Sequence, residues 1–222
     1  IAIFMILFLF TAQAWSQVEE DPFDVQLGEK LFKDDRFSQG FFAKSQGKVN
    51  AKVTKGDPIL DSLDTRYGAI DHPLRGQQQS CAACHLVDQA ASTRYPDLVF
   101  AYNDFAENTL VPVRNDGVTQ TLRNSMNMVI SNLEDGKPLH WDGEFFNGAD
   151  LTCATLVGRN MGWRPEEENL AKQHIVNVLR KDNGDYKVDS DIDVSYQEAF
   201  KTQGVDINQL TDAQVRNKVC ET

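Results

Sequence analysis

The clearest apolar periodicity along the chain falls between residues 122 and 133. Apolar side chains recur there at spacings of three and four residues, so that they share one face of a helix. The stretch is followed by Gly136, a residue that often stands just after the end of a helix. The pattern therefore predicts an amphipathic helix whose buried face carries Leu122, Met126, Val129, Ile130 and Leu133.

A second periodic segment begins at Pro165. Proline suits the first turn of a helix because its missing N–H has no partner there in any case. The acidic residues 166–168 favour the start of this helix, and the basic residues 180–181 favour its end, since these charges complement the helix dipole. The predicted buried stripe consists of Ala171, Ile175, Val178 and Leu179.

The N-terminal part of the chain carries a weaker pattern. Leu27 and Leu31 share one helical face, and a turn-like run of charges follows at residues 33–36. Residues 39–80 are rich in glycine and polar side chains and show little periodicity, so we predict a long loop or pair of loops. Because alternating strands and repeats are lacking, the predicted fold class is mostly α, with long irregular loops.

Two short helices are predicted near the C-terminal end. One starts at Asp150, and another follows Thr211, which stands three residues before Gln214 as in a capping box. Val215 and Val219 begin the apolar face of that last helix. The sequence stops inside this predicted helix, which indicates a truncated chain.

The first ten residues form an unbroken apolar run, followed by residues 11–16 (TAQAWS), in which Ala12, Ala14 and Ser16 are small. This is the pattern of a secretory signal peptide, with cleavage after Ala14 or Ser16. The run is too short to span a bilayer comfortably, so an uncleaved membrane anchor is the second interpretation. The pattern predicts an exported protein, and we expect it in the periplasm.

Composition narrows the classes of protein that fit. A chain of 222 residues with 41% hydrophobic and 25% charged residues is typical of a soluble globular protein with one large domain or two small ones. Its formal net charge of −11 argues against nucleic acid and against anionic membrane surfaces as partners. A basic redox partner is compatible with this charge.

The most informative chemistry lies in the pentapeptide Cys81-Ala-Ala-Cys84-His85. Two thiols three positions apart can each form a thioether with a haem vinyl group, and the adjoining histidine can then bind the iron as its proximal ligand. A zinc site would need a second Cys/His pair at similar spacing, and a redox-active cysteine pair would need a βαβ pattern; neither is found. The pentapeptide predicts one covalently attached haem c in this chain.

Two further cysteines, Cys153 and Cys220, lie outside the pentapeptide. In an oxidising compartment they can form a disulfide, although the sequence alone does not show that they are close together. Cys220 has two other interpretations: it can begin a second haem motif cut off by the chain end, or it can lie within the last amphipathic helix.

Four motifs occur in a characteristic order. They are residues 27–38 (LGEKLFKDDRFS), 80–85 (SCAACH), 121–124 (TLRN) and 140–143 (HWDG). Over residues 25–180 the chain resembles the N-terminal haem domain of the di-haem cytochrome c peroxidase/MauG-type family. The resemblance implies a cytochrome c-like haem domain over residues 81–222 together with 25–38. Residues 17–80 would then hold a lead-in helix and a long insert, and a second haem domain would follow.

The resemblance also implies roles for individual residues. Cys81 and Cys84 would attach the haem, His85 would be its proximal ligand, and Trp141 would lie between the two haems. The family's peroxidases carry a Gln and a Glu before a downstream Met, but residues 151–161 contain no Gln and have Asn160 in the place of the Glu. A distal histidine is also missing, because residues 86–139 contain none.

These departures affect the predicted function. Cleavage of bound peroxide needs a group that can shuttle a proton, and an amide cannot do so. We therefore expect electron transfer by a periplasmic c-type cytochrome domain. Two alternatives are a peroxide-reducing di-haem enzyme and a structural cytochrome subunit of a larger electron conduit, with residues 39–80 as its contact surface.

The second axial ligand is the least determined feature. Met161 lies in a glycine-flanked segment and is a candidate for it, although a core methionine is the alternative. His140 can face the haem edge or be an ordinary histidine, and His174 is expected to be structural. Arg114 and Arg123 are candidate partners of the haem propionates, with exposed surface arginines as the alternative.

Overall fold

A computed structural model of the chain describes most of its N-terminal lead-in and nearly all of its C-terminal third. The described residues are 22–52, 62–65, 68–71, 80–81, 117, 136–140, 142–188 and 192–222. Within them helices predominate, which confirms the mostly α class. Among these helices, none is long and apolar enough to cross a membrane. The predicted signal peptide at residues 1–16 and the predicted helix over 122–133 lie outside the described residues.

The N-terminal lead-in is helical, as predicted. Helix α1 spans Phe23–Lys33, a 3-10 turn follows at Asp35–Phe37, and helix α2 spans Gln39–Ser45. Leu27 and Leu31 are both buried, which confirms the predicted apolar face of α1. This face anchors the lead-in on the core.

The prediction of loops throughout residues 39–80 was wrong in part. Helix α2 lies inside this stretch, and so do two antiparallel strands, β1 (Ser62–Thr65) and β2 (Gly68–Asp71), paired from Ser62 with Asp71 to Thr65 with Gly68. Helix α2 has only seven residues, too few for a periodic pattern. Its start is fixed by the Ser38 hydroxyl, which accepts a hydrogen bond from the Phe41 N–H, and by the complete burial of the Phe41 ring.

The described residues of the C-terminal third form four helices and two 3-10 turns. Its elements are α3 (Gly148–Val157), 3-10 turns at Arg159–Met161 and Pro165–Glu167, α4 (Glu168–Lys181), α5 (Tyr196–Thr202) and α6 (Asp212–Glu221). The helices predicted near Asp150, after Pro165 and after Thr211 are all confirmed. Helix α5 was not predicted, although Ser195 and Glu198 form a capping box at its start that the sequence displays.

Helix α4 is the centre of the core. Its predicted stripe of Ala171, Ile175, Val178 and Leu179 is buried as expected. The helix contacts α3, α5, α6 and the 3-10 turn at Asp35–Phe37. Burying an aliphatic side chain of this size contributes about 1.5–3 kcal/mol, so the stripe accounts for much of the cohesion between these elements.

A disulfide between Cys153 and Cys220 joins α3 to α6. The two Cα atoms are 5.3 Å apart, and the cysteines are separated by 67 positions in the sequence. Residues so far apart along the chain can be bridged only because both helices pack side by side against α4. The bond therefore closes the C-terminal third into a single covalent loop.

The charged run at residues 33–36 was predicted to be turn-like, and a 3-10 turn does begin within it, but the sequence did not indicate that its last three residues are buried. Arg36 is fully buried and donates hydrogen bonds to the carboxylates of Asp34 (Nη2–Oδ2 2.7 Å) and Asp182 (Nη1–Oδ1 2.9 Å). Lys30 lies 3.9 Å from Asp182. We call Lys30, Asp34, Arg36 and Asp182 the Arg36 cluster. Its two positive and two negative charges balance, which makes burial tolerable.

One tyrosine hydroxyl, a backbone amide and the ring of a second tyrosine complete the Arg36 cluster. The hydroxyl of Tyr196 donates to Asp34 (2.8 Å), and the backbone N–H of Tyr196 donates to Asp182 (3.0 Å). The Arg36 guanidinium also lies over the ring of Tyr186, 4.6 Å from its centroid. The cluster thus connects the N-terminal lead-in to the end of α4 and the start of α5.

Two aromatic side chains of the C-terminal third hydrogen-bond to the same 3-10 turn. The Trp163 indole donates to the carbonyl of Phe37 (3.0 Å), and Nε2 of His174 lies 2.7 Å from the carbonyl of Arg36. His174 is buried, and its Nδ1 has no hydrogen-bond partner among the described residues. His174 therefore has the contacts of a structural histidine.

Candidate functional site

The structure describes only the beginning of the pentapeptide. Cys81 is half-buried and in helical conformation, while Cys84 and His85 lie outside the described residues. The preceding residue, Ser80, is buried, and its hydroxyl has no hydrogen-bond partner within the part of the chain that the structure describes. Cys81 thus lies at the boundary between interior and surface.

The disulfide determines which cysteines remain for other chemistry. The chain has four cysteines, and Cys153 and Cys220 bond to each other. The interpretation of Cys220 as the start of a second haem motif is therefore wrong, whereas its assignment to the last helix is confirmed. Cys81 and Cys84 are the two cysteines that lie outside this disulfide.

Met161 lies at the end of a 3-10 turn and belongs to the hydrophobic core. Its side chain is 2% exposed, and Trp163, two residues later, is fully buried in the same core. Gly162 between them has φ +82°, a left-handed conformation that glycine adopts without strain. This is the environment of a core methionine. Axial ligation of a haem iron by Met161 stays a prediction.

Several predicted site residues lie outside the described residues. They are Cys84, His85, Arg114, Arg123 and Trp141. Their roles in attaching the haem, binding its propionates and conducting electrons stay predictions.

His140 is described, and it lies in a tight loop. Within this loop the Leu139 N–H donates to the Phe145 carbonyl (2.7 Å) in an isolated antiparallel bridge. Gly143 makes the turn with φ +67°, and a Cβ there would approach Pro138 Cβ to 3.1 Å. His140 itself has φ +64°, and its ring contacts Phe145 edge to face. The loop therefore holds the imidazole in a defined orientation.

Two carboxylates lie beside this imidazole. One ligating atom from each of His140, Asp142 and Glu144 falls within 4.8 Å of the others. Nδ1 of His140 lies 3.5 Å from Glu144 Oε2 without a hydrogen bond between them. We call residues 140–144 the ligand loop. Sequence analysis missed this group, although histidine, aspartate and glutamate at alternate positions were a visible signal.

The donor set of the pentapeptide fits a c-type haem. Two thiols and an imidazole at this spacing are the groups that form the thioethers and the proximal bond. The ligand loop offers a different donor set, one nitrogen and two carboxylate oxygens, which suits a divalent metal ion rather than a porphyrin. The chain therefore carries two chemically distinct candidate sites.

Comparisons with protein-family models, with curated proteins and with solved structures found no match to this chain.

Proposed function

We propose that the chain is a periplasmic c-type cytochrome domain that attaches one haem through Cys81 and Cys84 and transfers electrons. The observation that carries the proposal is the Cys-Ala-Ala-Cys-His spacing at residues 81–85. The disulfide between Cys153 and Cys220 supports it, because it leaves the two cysteines of the motif for attachment.

Six residues of the chain have proposed roles in binding the haem. Cys81 and Cys84 would hold the porphyrin through thioether bonds, and His85 would be the proximal ligand of its iron. When bound, haem c supplies an iron that gains and loses one electron. We assign Arg114 and Arg123 to the propionates as bidentate donors, and Trp141 to the edge that faces a second haem domain or a redox partner protein.

The proposed location agrees with the chemistry of the cysteines. Disulfides persist mainly in exported proteins, and a bond between α3 and α6 fits a protein of an oxidising compartment. The proposed signal peptide at residues 1–16 gives the route of export. The proposed fold, a cytochrome c-like domain with long loops, is compatible with the helical described residues.

Electron transfer is favoured over peroxide reduction by Asn160. In the family's peroxidases a glutamate stands where this chain has Asn160, and here that side chain is exposed on the 3-10 turn at Arg159–Met161. An amide neither accepts nor releases a proton near neutral pH, so it cannot act as a general acid or base. The proposed domain therefore passes electrons and leaves peroxide unreacted.

Covalent attachment is tested by export of the chain in cells that make c-type cytochromes. We expect a coloured protein whose tryptic peptide over residues 81–85 gains the mass of one haem. The variant Cys81→Ala with Cys84→Ala should lose this mass, whereas Cys153→Ser with Cys220→Ser is the matched control and should retain it. A colourless wild-type protein without the mass gain would refute the proposal.

The spectrum of the loaded protein separates the two functions. Low-spin, six-coordinate iron that does not react with peroxide is expected for electron transfer. High-spin iron that turns over peroxide would instead establish the enzymatic alternative. Met161→Ala tests the axial ligand in the same experiment: an unchanged spectrum excludes Met161 as the ligand.

A further inference from the structure

The ligand loop brings together three side chains that could hold a metal ion, and it is distant from the pentapeptide in the sequence. His140, Asp142 and Glu144 alternate along the chain, and their ligating atoms lie within 4.8 Å of one another. We propose that these three side chains bind one divalent transition-metal ion, with zinc as the representative ion. This inference does not depend on haem attachment.

The spacing of the imidazole and one carboxylate supports metal binding over a direct hydrogen bond. His140 Nδ1 and Glu144 Oε2 are 3.5 Å apart, beyond the usual range of a nitrogen–oxygen hydrogen bond. Two ligands about 2.1 Å from a tetrahedral zinc ion stand about 3.4 Å apart. The separation of this one pair of atoms is therefore close to the edge of a zinc coordination tetrahedron.

The state of the imidazole nitrogen supports this interpretation because the two carboxylates lie beside it, whereas an unpartnered Nδ1 alone, as in His174, does not indicate a metal site. Nδ1 of His140 is shielded from water and has no hydrogen-bond partner among the described residues. A buried polar atom without a partner is costly in a folded protein unless it has another use. A metal ion between Nδ1 and the two carboxylates would satisfy it.

The surroundings of the loop suit a bound cation. The carboxylates of Asp142 and Glu144 are exposed, so an ion can enter from solvent and keep water in its remaining coordination positions. Phe145 packs edge to face on the imidazole with ring centroids 5.3 Å apart, which restricts its rotation. The net charge of −11 favours the approach of cations to the molecule as a whole.

Zinc titration calorimetry on the full chain tests the proposal. Cys81 and Cys84 are replaced by alanine in every sample, because thiolates at the pentapeptide would bind zinc themselves. We expect one zinc ion per chain. Asp142→Asn and Glu144→Gln should each weaken zinc binding by at least about tenfold, because even mutation of residues that only hydrogen-bond to a metal ligand lowers metal affinity by that factor. Glu166→Gln, an exposed carboxylate on another turn, is the matched control and should bind like the parent.

The binding atom is identified by NMR of histidine labelled with ¹⁵N. We expect zinc to shift the resonance of His140 Nδ1, with the assignment checked by its loss in His140→Gln. Circular dichroism establishes that each variant is folded. Absence of zinc binding, equal affinity in the parent and both loop variants, or a shift at another histidine alone would overturn the proposal and leave His140 and Glu144 as an ion pair only.

Discussion

The Arg36 cluster and the ligand loop both bring ionisable groups together, yet they differ in burial and in how their groups are paired. In the Arg36 cluster, two cations face two carboxylates in the interior, and tyrosine groups occupy further hydrogen-bonding positions. In the ligand loop, two exposed carboxylates flank an imidazole nitrogen that has no hydrogen bond within the described residues.

This difference separates a structural role from a functional one. A buried charge must be balanced by the protein itself, because water is not there to solvate it, so each member of the Arg36 cluster is committed to a partner. Carboxylates at the surface are solvated by water and stay accessible to a ligand. Accessible ligating atoms in a fixed geometry are therefore the more informative sign of function.

The largest expected effect comes from breaking the Arg36 cluster. Arg36→Ala leaves the buried carboxylate of Asp34 without its cationic partner and Asp182 with Lys30 alone, and it should lower the free energy of unfolding by about 3–5 kcal/mol. Urea denaturation followed by circular dichroism measures this change. Lys172→Ala, which removes an exposed ion pair with Glu168, is the control and should leave stability nearly unchanged. A small effect of Arg36→Ala would contradict the structural role.

Removing the disulfide should have the next largest effect. The double variant Cys153→Ser with Cys220→Ser removes the cross-link between residues 67 positions apart, so the unfolded chain gains conformational freedom. We expect the free energy of unfolding to fall by about 2–4 kcal/mol. The same denaturation measurement applies, with the oxidised and reduced parent compared beside the variant. If the parent and the variant unfold at the same urea concentration, the link between α3 and α6 contributes nothing to the stability of the folded protein.

Acid should destabilise the folded protein through protonation of His174. Burial lowers the pKa of His174 below its ordinary value of 6.5, so the unfolded chain takes up this proton at a higher pH than the folded protein does. Stability is therefore complete above pH 6.5 and falls as the pH drops towards the folded-state pKa, at up to about 1.4 kcal/mol per pH unit.

Denaturation in metal-free buffer between pH 8 and pH 5 measures this slope. His174→Gln should flatten it, and an identical slope in parent and variant would contradict the assignment. Asp182 does not interfere in this range. Burial opposes its ionisation, but the hydrogen bond and charge of Arg36 outweigh burial and lower the pKa of Asp182 below 3.8, so its contribution is lost only in stronger acid.

The smallest expected effect on stability belongs to the ligand loop. Glu144→Gln changes an exposed side chain and should alter the free energy of unfolding by about 0.5 kcal/mol or less without metal. With saturating zinc the parent should become more stable, because a ligand that binds only the folded state shifts the equilibrium, and the variant should gain less. A large loss of stability in metal-free Glu144→Gln would show that the ligand loop has a structural role, as the Arg36 cluster does.

Sequence patterns predicted the long elements of the fold well and the short ones poorly. Helix α4 was recognised because fourteen residues carry a repeated apolar stripe with matching end charges. Helix α2 has seven residues and depends on the burial of Phe41 against the rest of the core, which no local pattern reveals. Helix α5 had a visible capping box that could have been recognised at Ser195.

The candidate sites divide in the same way. The pentapeptide at residues 81–85 is local chemistry at fixed spacing, so the sequence alone predicted it. The ligand loop is also local, but its significance depends on backbone angles at His140 and Gly143 that turn three alternating side chains towards each other. In an extended strand, Asp142 would lie about 7 Å along the chain from His140.

By itself, the sequence determined the mostly α class, the predicted haem motif and the apolar stripe of α4, since these depend on residues near each other along the chain. Only the tertiary structure decided that Arg36 is buried and that Cys153 bonds to Cys220. Both features depend on contacts between residues that are more than sixty positions apart in the sequence. Local patterns carry no record of such distant partners, because packing of the helices around α4 alone brings them together.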